Sequence, residues 1–470
     1  MSLQWGGLPL LPLRCILEHL STEDALAAMS TCRHWRNAML LYEGRKETLK
    51  LKAKHLEKNL FLTRIFRRQT EKLHVYLDCS EPELEKFMNF VLPQFFDTAK
   101  LQELVFIGPS YVQLNQHISF VKLKRIIIES LIFKNAHNIK KVAFMGCEMG
   151  AVKNENDRYT HKHVEYYSRP LSFGGETASD VVMSSRNIGL MAFSTLKHIH
   201  IDYEQVNTNA LETLGRLPNL TNLSLNIMNK RNLKLRPIDW QRVTTAVAKP
   251  LNVGLNIIAV PQKRLDDIIE NVLVDGLPLA SLKVLFCKSI YGPLLQHVTS
   301  LYHSTFRELV WADSPYDATA YHRGGRSPRL DNYDPYEELN PFVLLCWQCT
   351  QLRRLVIHGY WVWQYDLLGF VRLRKSLSHL EISAISNKQD KFTNPLQQND
   401  AGTVRVLVGD APSVMDADYV QAVNEYTAFK WKPVPRSKLH PALRARSTPL
   451  QRADYIVKEA VASLVLTPCQ

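Results

Sequence analysis

The stretch Leu220-Thr-Asn-Leu223-Ser-Leu225 contains a phrase that recurs through most of this 470-residue chain: apolar, two residues, apolar, one residue, apolar. Six further clear copies begin at Leu101, Leu196, Leu282, Phe306, Leu352 and Leu377, and weaker ones begin at Leu123 and Ile139. Alternation of this kind is typical of a strand with one buried face. Helix-like stretches, such as residues 209–217 and 264–274, lie between the copies. The body of the chain is therefore expected to consist of strand–helix units.

The spacing of the copies predicts how these units pack. Several neighbouring copies lie about 24 residues apart, within the range of leucine-rich repeats. Repeats of one strand and one helix stack side by side and bury a continuous core between neighbours. The sequence therefore predicts an α/β fold, in which a leucine-rich-repeat-like solenoid carries a parallel sheet on its concave face.

The positions between the apolar residues of each phrase form a second pattern. Side chains alternate between the two faces of a strand, so these positions are expected to line the concave face. The resulting polar stripe is a candidate surface for a protein substrate, although any single member is more simply a solvated side chain. The candidate substrate-binding residues are His198, His200, Asn222, Ser224, Arg354, His358, His379 and Glu381.

The N-terminal stretch Leu8 to Trp35, LPLLPLRCILEHLSTEDALAAMSTCRHW, predicts two short helices. Pro12 suits a first helical turn, and Ser21 with Asp24 forms a capping-box pattern for the second helix. Four apolar residues fall at i, i+3, i+4 and i+7 on one face of the first helix: Leu13, Ile16, Leu17 and Leu20. Units below about 40 residues rarely enclose their own apolar surface. We therefore expect this stretch to dock onto a partner.

The same stretch resembles an F-box, the motif that docks a protein onto the Skp adaptor of cullin-based ubiquitin ligases. The resemblance runs through Leu8-Pro9, Leu13, Ile16-Leu17, Leu20, Asp24, Cys32 and Trp35, while Leu11 stands where an acidic residue is common. The adaptor-binding residues that it implies are Leu8, Pro9, Leu13, Ile16, Leu17, Leu20 and Trp35. The adaptor would in turn connect the chain to cullin and RING subunits. The alternative is an ordinary amphipathic hairpin that closes the end of a larger domain.

A second stretch, Asn340 to Leu373, resembles a group of F-box-only proteins that includes insect members. The resemblance rests on Val343-Leu344-Leu345, Trp347, Ile357-His358-Gly359-Tyr360 and Val362-Trp363. It implies the substrate-recognition subunit of an SCF (Skp-cullin-F-box) ubiquitin ligase. Such a subunit brings a bound protein substrate to ubiquitination and proteasomal degradation.

Composition indicates a folded protein without a membrane span. Hydrophobic residues make up 46% of the chain and charged residues 22%, as in globular domains. No apolar run reaches the roughly eighteen residues of a membrane-spanning helix. The apolar segment at Leu8 to Leu13 lacks the basic residues that precede a secretory signal. The eight cysteines show no framework spacing, which favours reduced thiols and a location in the cytoplasm or the nucleus.

The expected domain order follows from these patterns and from a formal charge of +13. We expect an all-α F-box over residues 1–45, a basic helical linker over 46–72, a solenoid over 73–425 with long loops near 152–187 and 314–340, and a basic, proline-containing tail over 426–470. The charge leaves a nucleic-acid-associated scaffold open as the alternative function. A run of charge is more often a solvated face, and no signature of a nucleic-acid-binding module accompanies it.

The sequence contains no recognisable catalytic or metal-binding motif. Cys346 and Cys349 form a lone CxxC, whereas a structural zinc site requires four ligands, so we expect both side chains to lie in the core. Phosphate-binding glycine loops, nucleophile elbows and HExxH helices are also missing from the sequence. We therefore predict a noncatalytic adaptor with no cofactor and no metal, which accelerates a reaction by bringing the reactants together.

Overall fold

The structure, a computed structural model, describes residues 7–20, 22–41, 48–53, 55–67, 70–78, 83–95, 100–114, 121–123, 131–149, 193–230, 233, 235–288, 290–314, 330–331, 340–360, 362–386, 406–408, 417–444 and 447–461. The chain forms two compact units. Unit 1 draws on residues 1–109, 119–199 and 217–219, and unit 2 draws on residues 110–118, 200–216 and 220–470. Among the described helices, none is both long enough and apolar enough to cross a membrane.

Unit 1 begins with three short helices, α1 (Leu10–His19), α2 (Thr22–Thr31) and α3 (Arg33–Leu41). The prediction of two helices, with Trp35 on the second, is wrong. Cys32 lies between α2 and α3, and its Sγ accepts a hydrogen bond from the backbone N–H of Trp35 at 3.5 Å. The first N–H groups of a helix have no partner within the helix, so this contact favours a new helix start after Cys32. Ser21, the predicted capping residue, lies outside the described residues.

Four parallel strands of unit 1 pair in sequence order: β1 (Thr48–Lys52), β2 (Lys72–Tyr76), β3 (Glu103–Ile107) and β4 (Lys141–Met145). Helix α4 (Leu56–Phe66) connects β1 to β2. The prediction of an entirely helical linker over residues 46–72 is therefore wrong. In β1 the buried Leu49 and Leu51 alternate with lysines, and this short alternation was obscured by the surrounding basic residues.

Several shorter elements complete unit 1. Helical turns lie at Leu84–Lys86, Phe87–Val91, Leu92–Phe95 and Phe133–Asn135. A small parallel pair joins Val121–Leu123 to Cys147–Met149. Strand β5 (His198–Asp202) spans the point in the sequence at which the chain passes from unit 1 to unit 2. The predicted loop over residues 152–187 lies outside the described residues.

Six parallel strands of unit 2 also pair in sequence order: β6 (Asn222–Met228), β7 (Asn252–Ile258), β8 (Leu279–Leu285), β9 (Glu308–Ala312), β10 (Arg354–His358) and β11 (His379–Ile382). The helices between strands are α5 (Thr208–Gly215), α6 (Trp240–Ala246), α7 (Leu265–Asn271), α8 (Gly292–Tyr302), α9 (Pro341–Gln348) and α10 (Gln364–Leu373). The predicted α/β fold, with repeated strand–helix units and a parallel sheet, is confirmed.

Polar residues start three of these helices. Asn207 Oδ1 accepts a hydrogen bond from the Ala210 N–H, Asp239 Oδ1 accepts one from Arg242, and Asn340 Oδ1 accepts one from Phe342. Each side chain satisfies an N–H group that has no partner within its helix. These caps fix where each helix begins relative to the strand before it.

The register of the sheet corrects one copy of the repeated phrase. Leu282 lies opposite Leu309, and Val284 lies opposite Trp311. The apolar positions of this repeat are therefore Leu279, Leu282 and Val284, and the phrase begins at Leu279 and not at Leu282. The correction places Lys283 on the polar side of the strand, where the predicted phrase had not placed it. Strand β7 was missed entirely, because the register places Pro250 where the phrase begins with an apolar residue.

The C-terminal region contains α11 (Ala417–Tyr426) and α12 (Pro449–Val461), with helical turns at Arg436–Lys438 and Pro441–Leu443. The sequence predicts only a basic, proline-containing tail over residues 426–470. The structure instead places two helices there in part or in full, and Tyr455 and Ile456 of the second helix are buried. Upstream, the Val434 N–H donates to the Ile382 carbonyl oxygen at 3.0 Å, alongside the edge strand β11.

Short strands complete unit 2. Ile290–Tyr291 pairs with Leu330–Asp331, and Ala384–Ser386 pairs with Val362–Trp363 and with Val406–Val408. Most of the predicted loop over residues 314–340 lies outside the described residues. The other domain boundaries stay predictions.

Candidate functional site

The eight candidate substrate-binding residues are strand residues, but they do not form an open stripe. Six of them are buried: His198, His200, Asn222, Ser224, Arg354 and His358. Only His379 and Glu381 keep about a third or more of their side chains exposed, 42% and 35% respectively. The expectation of a solvated polar surface is therefore wrong for six of the eight. Their role in binding a substrate stays a prediction.

A buried cluster of four charged residues explains part of this burial. We call Lys283, Glu308, Arg354 and Glu459 the charge cluster. Glu308 accepts hydrogen bonds from Arg354 Nη1 at 2.6 Å and from Ser281 at 2.6 Å, and its other contact is Lys283 Nζ at 3.4 Å. Arg354 Nη2 reaches the Glu459 carboxylate at 3.0 Å. Sequence reasoning missed Lys283, Glu308 and Glu459 as members of one site.

The cluster joins the polar side of β8, β9 and β10 to helix α12. Lys283 Nζ donates to the backbone carbonyl oxygen of Glu459, one turn from the end of that helix. The Tyr455 ring packs edge-on against Phe286, with ring centroids 6.0 Å apart. The chain's own C-terminal helix therefore lies against the face that the sequence assigned to a substrate.

The electrostatics of the cluster favour the charged forms of Glu308 and Arg354. Burial raises the pKa of a carboxyl group, but the charges of Lys283 and Arg354 outweigh this effect and lower the pKa of Glu308. Burial alone would lower the pKa of Arg354, but the carboxylates of Glu459 and Glu308 raise it. Two cations and two anions thus balance each other away from water, the condition under which buried charges are tolerated.

A second polar group lies at the edge of this face. Glu381 accepts hydrogen bonds from His379 Nε2 at 2.6 Å and from His358 Nε2 at 3.2 Å. The hydrogen bonds from His358 and His379 lower the pKa of Glu381 below its usual range, although burial raises it. His379 and Glu381 are the part of the predicted stripe that stays within reach of solvent, and the buried His358 is joined to them through Glu381.

The N-terminal helices divide the predicted adaptor-binding residues into two groups. Leu13 and Leu17 are 0% and 2% exposed, so they form the core of the helical module and do not face a partner. Leu8, Ile16, Leu20 and Trp35 are half-buried, and Pro9 is exposed. Two fully buried leucines are unavailable to another protein while the module stays folded.

The exposed apolar surface of the module lies in the first turn of α1. Leu11 is 75% exposed and Leu10 is 45% exposed. We call Pro9, Leu10 and Leu11 the apolar tip. The predicted helix began at Pro12, so Leu10 and Leu11 were not expected on a helix surface. The signal that would have found them is their apolar character immediately before a proline at the start of a helix.

Comparison with known proteins identifies this module. Residues 5–41 match the F-box domain family model. The predicted F-box is thereby confirmed, and it coincides with the three helices α1 to α3.

Two curated relatives extend the likeness beyond the F-box family model. F-box only protein 33 of Homo sapiens is 41% identical over 70 residues, and the protein of the same name in Mus musculus is 40% identical over 70 residues. In each case the match covers 15% of this chain and 12% of the relative. The chain therefore spans about an eighth of the length of the curated relatives that it matches.

Two solved structures resemble the chain distantly. The leucine-rich repeat-containing protein LegL7 from Legionella pneumophila shares 10% identity, with 75% of this chain and 95% of that chain covered and a TM-score of 0.35. An internalin from Listeria monocytogenes shares 12% identity, with 77% and 88% covered and a TM-score of 0.22. The assignment of the fold rests on the strands and helices of this chain.

The four cysteines that the structure describes beyond the F-box are core residues. Cys346 and Cys349 are both fully buried, and burial raises the pKa of the Cys349 thiol to about 12. A thiol that stays protonated is a poor nucleophile and a poor metal ligand. Within the described residues, no group of three or more histidine, cysteine or acidic side chains is arranged to hold a metal ion.

Proposed function

We propose that this protein is the substrate-recognition subunit of an SCF-type E3 ubiquitin ligase and has no catalytic group of its own. The observation that carries the proposal is the F-box match at residues 5–41, together with the exposed apolar tip of the same module. The F-box would dock onto the Skp adaptor, and through it onto cullin and RING subunits. We place the protein in the cytoplasm or the nucleus.

The apolar tip gives the docking step its driving force. Burying a leucine that is otherwise exposed stabilises a complex by about 1.5–3 kcal/mol. Leu10 and Leu11 are therefore the residues that gain most from an adaptor surface. Leu8, Ile16 and Leu20, which are half-buried, would contribute less area each.

Unit 2 would supply substrate recognition, and the ligase would supply the chemistry. A substrate that is held beside the charged conjugating enzyme reacts as if in a single molecule. This arrangement requires no acid, base or metal from the receptor. It leads to ubiquitination of the bound protein and, we propose, to its degradation by the proteasome.

Co-expression with the Skp adaptor tests the proposal. The full chain should elute with the adaptor as a one-to-one complex in size-exclusion chromatography at moderate salt. Leu11→Arg and Leu20→Arg should each abolish co-elution, because a charge buried without a partner costs several kcal/mol. Ser30→Arg is the matched control, since Ser30 is exposed on α2 and outside the apolar tip.

Two results would contradict the proposal. Leu11→Arg and Leu20→Arg proteins that still co-elute at the wild-type yield would remove the docking role from this surface. A soluble chain that does not bind the adaptor, but binds nucleic acid in a strongly salt-dependent manner, would favour the alternative function of a nucleic-acid-associated scaffold.

A further inference from the structure

Helix α12 occupies the polar side of the unit 2 sheet as a ligand would. Its residue Glu459 projects a carboxylate onto Arg354 at 3.0 Å, and Lys283 reaches the carbonyl oxygen of the same residue. Both donors are buried strand residues. The two cationic strand residues therefore contact Glu459 at different groups, Arg354 at the carboxylate and Lys283 at the backbone carbonyl oxygen. Together they have the form of a recognition site for an acidic helix residue, in which Arg354 reads the charge and Lys283 the backbone.

The charge balance shows what the face requires when α12 is absent. Without Glu459, the strands retain Lys283, Arg354 and Glu308, which are two cations and one anion. An occupant that covered these side chains without a carboxylate of its own would leave one positive charge unbalanced away from water, which is strongly unfavourable. The vacated face would therefore select an occupant that carries a carboxylate at the position of Glu459.

The fit of α12 is good in its apolar part and incomplete in its polar part. Tyr455, Ile456 and Val457 are all buried, so the helix contributes substantial apolar area. Among the described residues, however, the Tyr455 hydroxyl and the Arg354 Nε atom have no hydrogen-bond partner. A buried polar atom without a partner costs stability, and a different helix that satisfied these two atoms would bind more tightly.

The connection to α12 permits exchange. The stretch before it contains Pro433, Pro435 and Pro441. Its described backbone contact with the sheet is the hydrogen bond from Val434 to Ile382, and it buries the side chains of Trp431, Leu439 and Leu443. A short tether holds a segment at a high effective concentration, commonly in the millimolar range, without any added affinity. A weakly matched helix can therefore stay docked in cis and still yield to a better one.

We propose that α12 is a cis-bound occupant of this face, and that the substrate segment which the face fits is an amphipathic helix that presents a carboxylate to Arg354 and a backbone carbonyl oxygen to Lys283. The proposal rests on the substrate-receptor function proposed above. Substrate binding would then require α12 to leave, so the helix competes with the substrate until a better-matched segment arrives.

Peptide exchange in the folded full chain tests this proposal. A protease site is inserted at residues 444–448, and the folded protein is cut so that α12 is held by its contacts alone. The probe is a fluorescein-labelled peptide with the sequence of residues 447–463. The cut chain should bind the probe, while the uncut chain should bind it at least about ten-fold more weakly, because the tethered helix competes at a high effective concentration.

Peptide variants identify the group that is recognised. A Glu459→Lys probe should bind at least about ten-fold more weakly than the wild-type probe, since it places a cation against the Arg354 guanidinium. A Lys458→Gln probe should bind as the wild type does, because Lys458 is the exposed neighbour of Glu459 on α12. Equal binding of the Glu459→Lys and wild-type probes would overturn the proposal.

Two further results would also overturn it. A cut chain that retains α12 and takes up no probe would make the helix a permanent part of the core, and so would a cut chain that unfolds. Adaptor co-elution is measured on the same preparations. Probe exchange without adaptor binding would refute the receptor function alone, and adaptor binding without probe exchange would refute the helix-binding face alone.

Discussion

The F-box helices and the sheet face of unit 2 arrange apolar and charged side chains in opposite ways. The F-box exposes Leu10 and Leu11 to solvent, whereas the sheet face buries Lys283, Glu308 and Arg354. Each arrangement is unfavourable for an isolated surface, because apolar groups gain from burial and charges lose by it. The charged face is covered by the chain's own helix α12, while the apolar tip stays exposed. The comparison indicates that apolar side chains exposed to solvent, and charged side chains removed from it, mark surfaces suited to contact another segment or another molecule.

The largest effect should follow from breaking the charge cluster. Glu308→Leu leaves Lys283 and Arg354 with Glu459 as their remaining partner, and removing one member of a buried ion pair costs about 3–5 kcal/mol. Hydrogen exchange, measured by mass spectrometry on peptides from β8 to β10, should show a corresponding loss of protection. If the free energy of exchange of these peptides falls by only a few tenths of a kcal/mol, the view that the cluster stabilises this face is contradicted.

A surface pair provides the matched control for that change. Glu212 pairs with Arg242 at 2.8 Å, and the Arg242 side chain is 56% exposed. Exposed pairs contribute roughly 0–1 kcal/mol, so Glu212→Leu should alter exchange in unit 2 very little. Comparable losses in both variants would mean that burial is not what makes the cluster important.

Two leucines of α1, one buried and one exposed, test the arrangement of apolar side chains in the F-box. Leu13→Ala removes a fully buried side chain and should destabilise the F-box by about 2–4 kcal/mol. Leu11→Ala changes an exposed side chain and should cost at most about 0.5 kcal/mol. Exchange protection of the α1 to α3 amides measures both. For the affinity of the folded protein for the Skp adaptor we expect the opposite order. Leu11→Ala should lower this affinity more than Leu13→Ala does, since only Leu11 is available to a partner.

The smallest expected effect is a pH dependence of the stability of unit 1, which arises from Glu103 in strand β3. Glu103 accepts a hydrogen bond from His74 at 2.7 Å and lies 3.3 Å from Lys141. Burial alone would raise the pKa of Glu103, but the His74 hydrogen bond and the Lys141 charge lower it to about 2. A depressed pKa contributes stability above the unfolded-state pKa, and this contribution is lost as the pH falls through the folded-state pKa.

Urea unfolding of the wild type and of Glu103→Gln checks this sign. The variant should be less stable near neutral pH, and the difference between the two proteins should narrow by about 2 kcal/mol between about pH 6 and about pH 3. The difference narrows because the Glu103 carboxyl group of the unfolded wild type takes up a proton in this range, whereas in the folded protein, with its pKa at about 2, the group is still mostly ionised. A difference that stays constant across this range would show that Glu103 is not ionised in the folded state.

Much of the fold was predictable because its signals are local. The repeated apolar phrase places residues such as Leu223 and Leu225 on one side of a strand, and both are buried. The sequence pattern did not predict strand β1, and it placed the start of the repeated phrase in β8 at the wrong leucine; both strands contain lysines. A lysine in a short pattern is weak evidence against a strand, because pairing with the neighbouring strands can stabilise the strand all the same.

The sites were predictable to different degrees. The F-box was found because its residues are contiguous, although the sequence did not distinguish the buried Leu13 from the exposed Leu11. The covering of the sheet face was not predictable, since Glu459 lies 105 residues from Arg354 and 176 residues from Lys283 along the chain. No local period or spacing connects residues so far apart.

The sequence by itself determined that this chain carries an F-box and a body of strand–helix repeats, because periodicity over a few residues dictates which side chains can be buried together. Only the tertiary structure decided which polar residues reach solvent. Burial depends on what packs over a surface, and the helix that packs over this one comes from the far end of the chain. Glu459 meets Arg354 and Lys283 only once the fold has formed, and their shared charge balance then holds α12 in place.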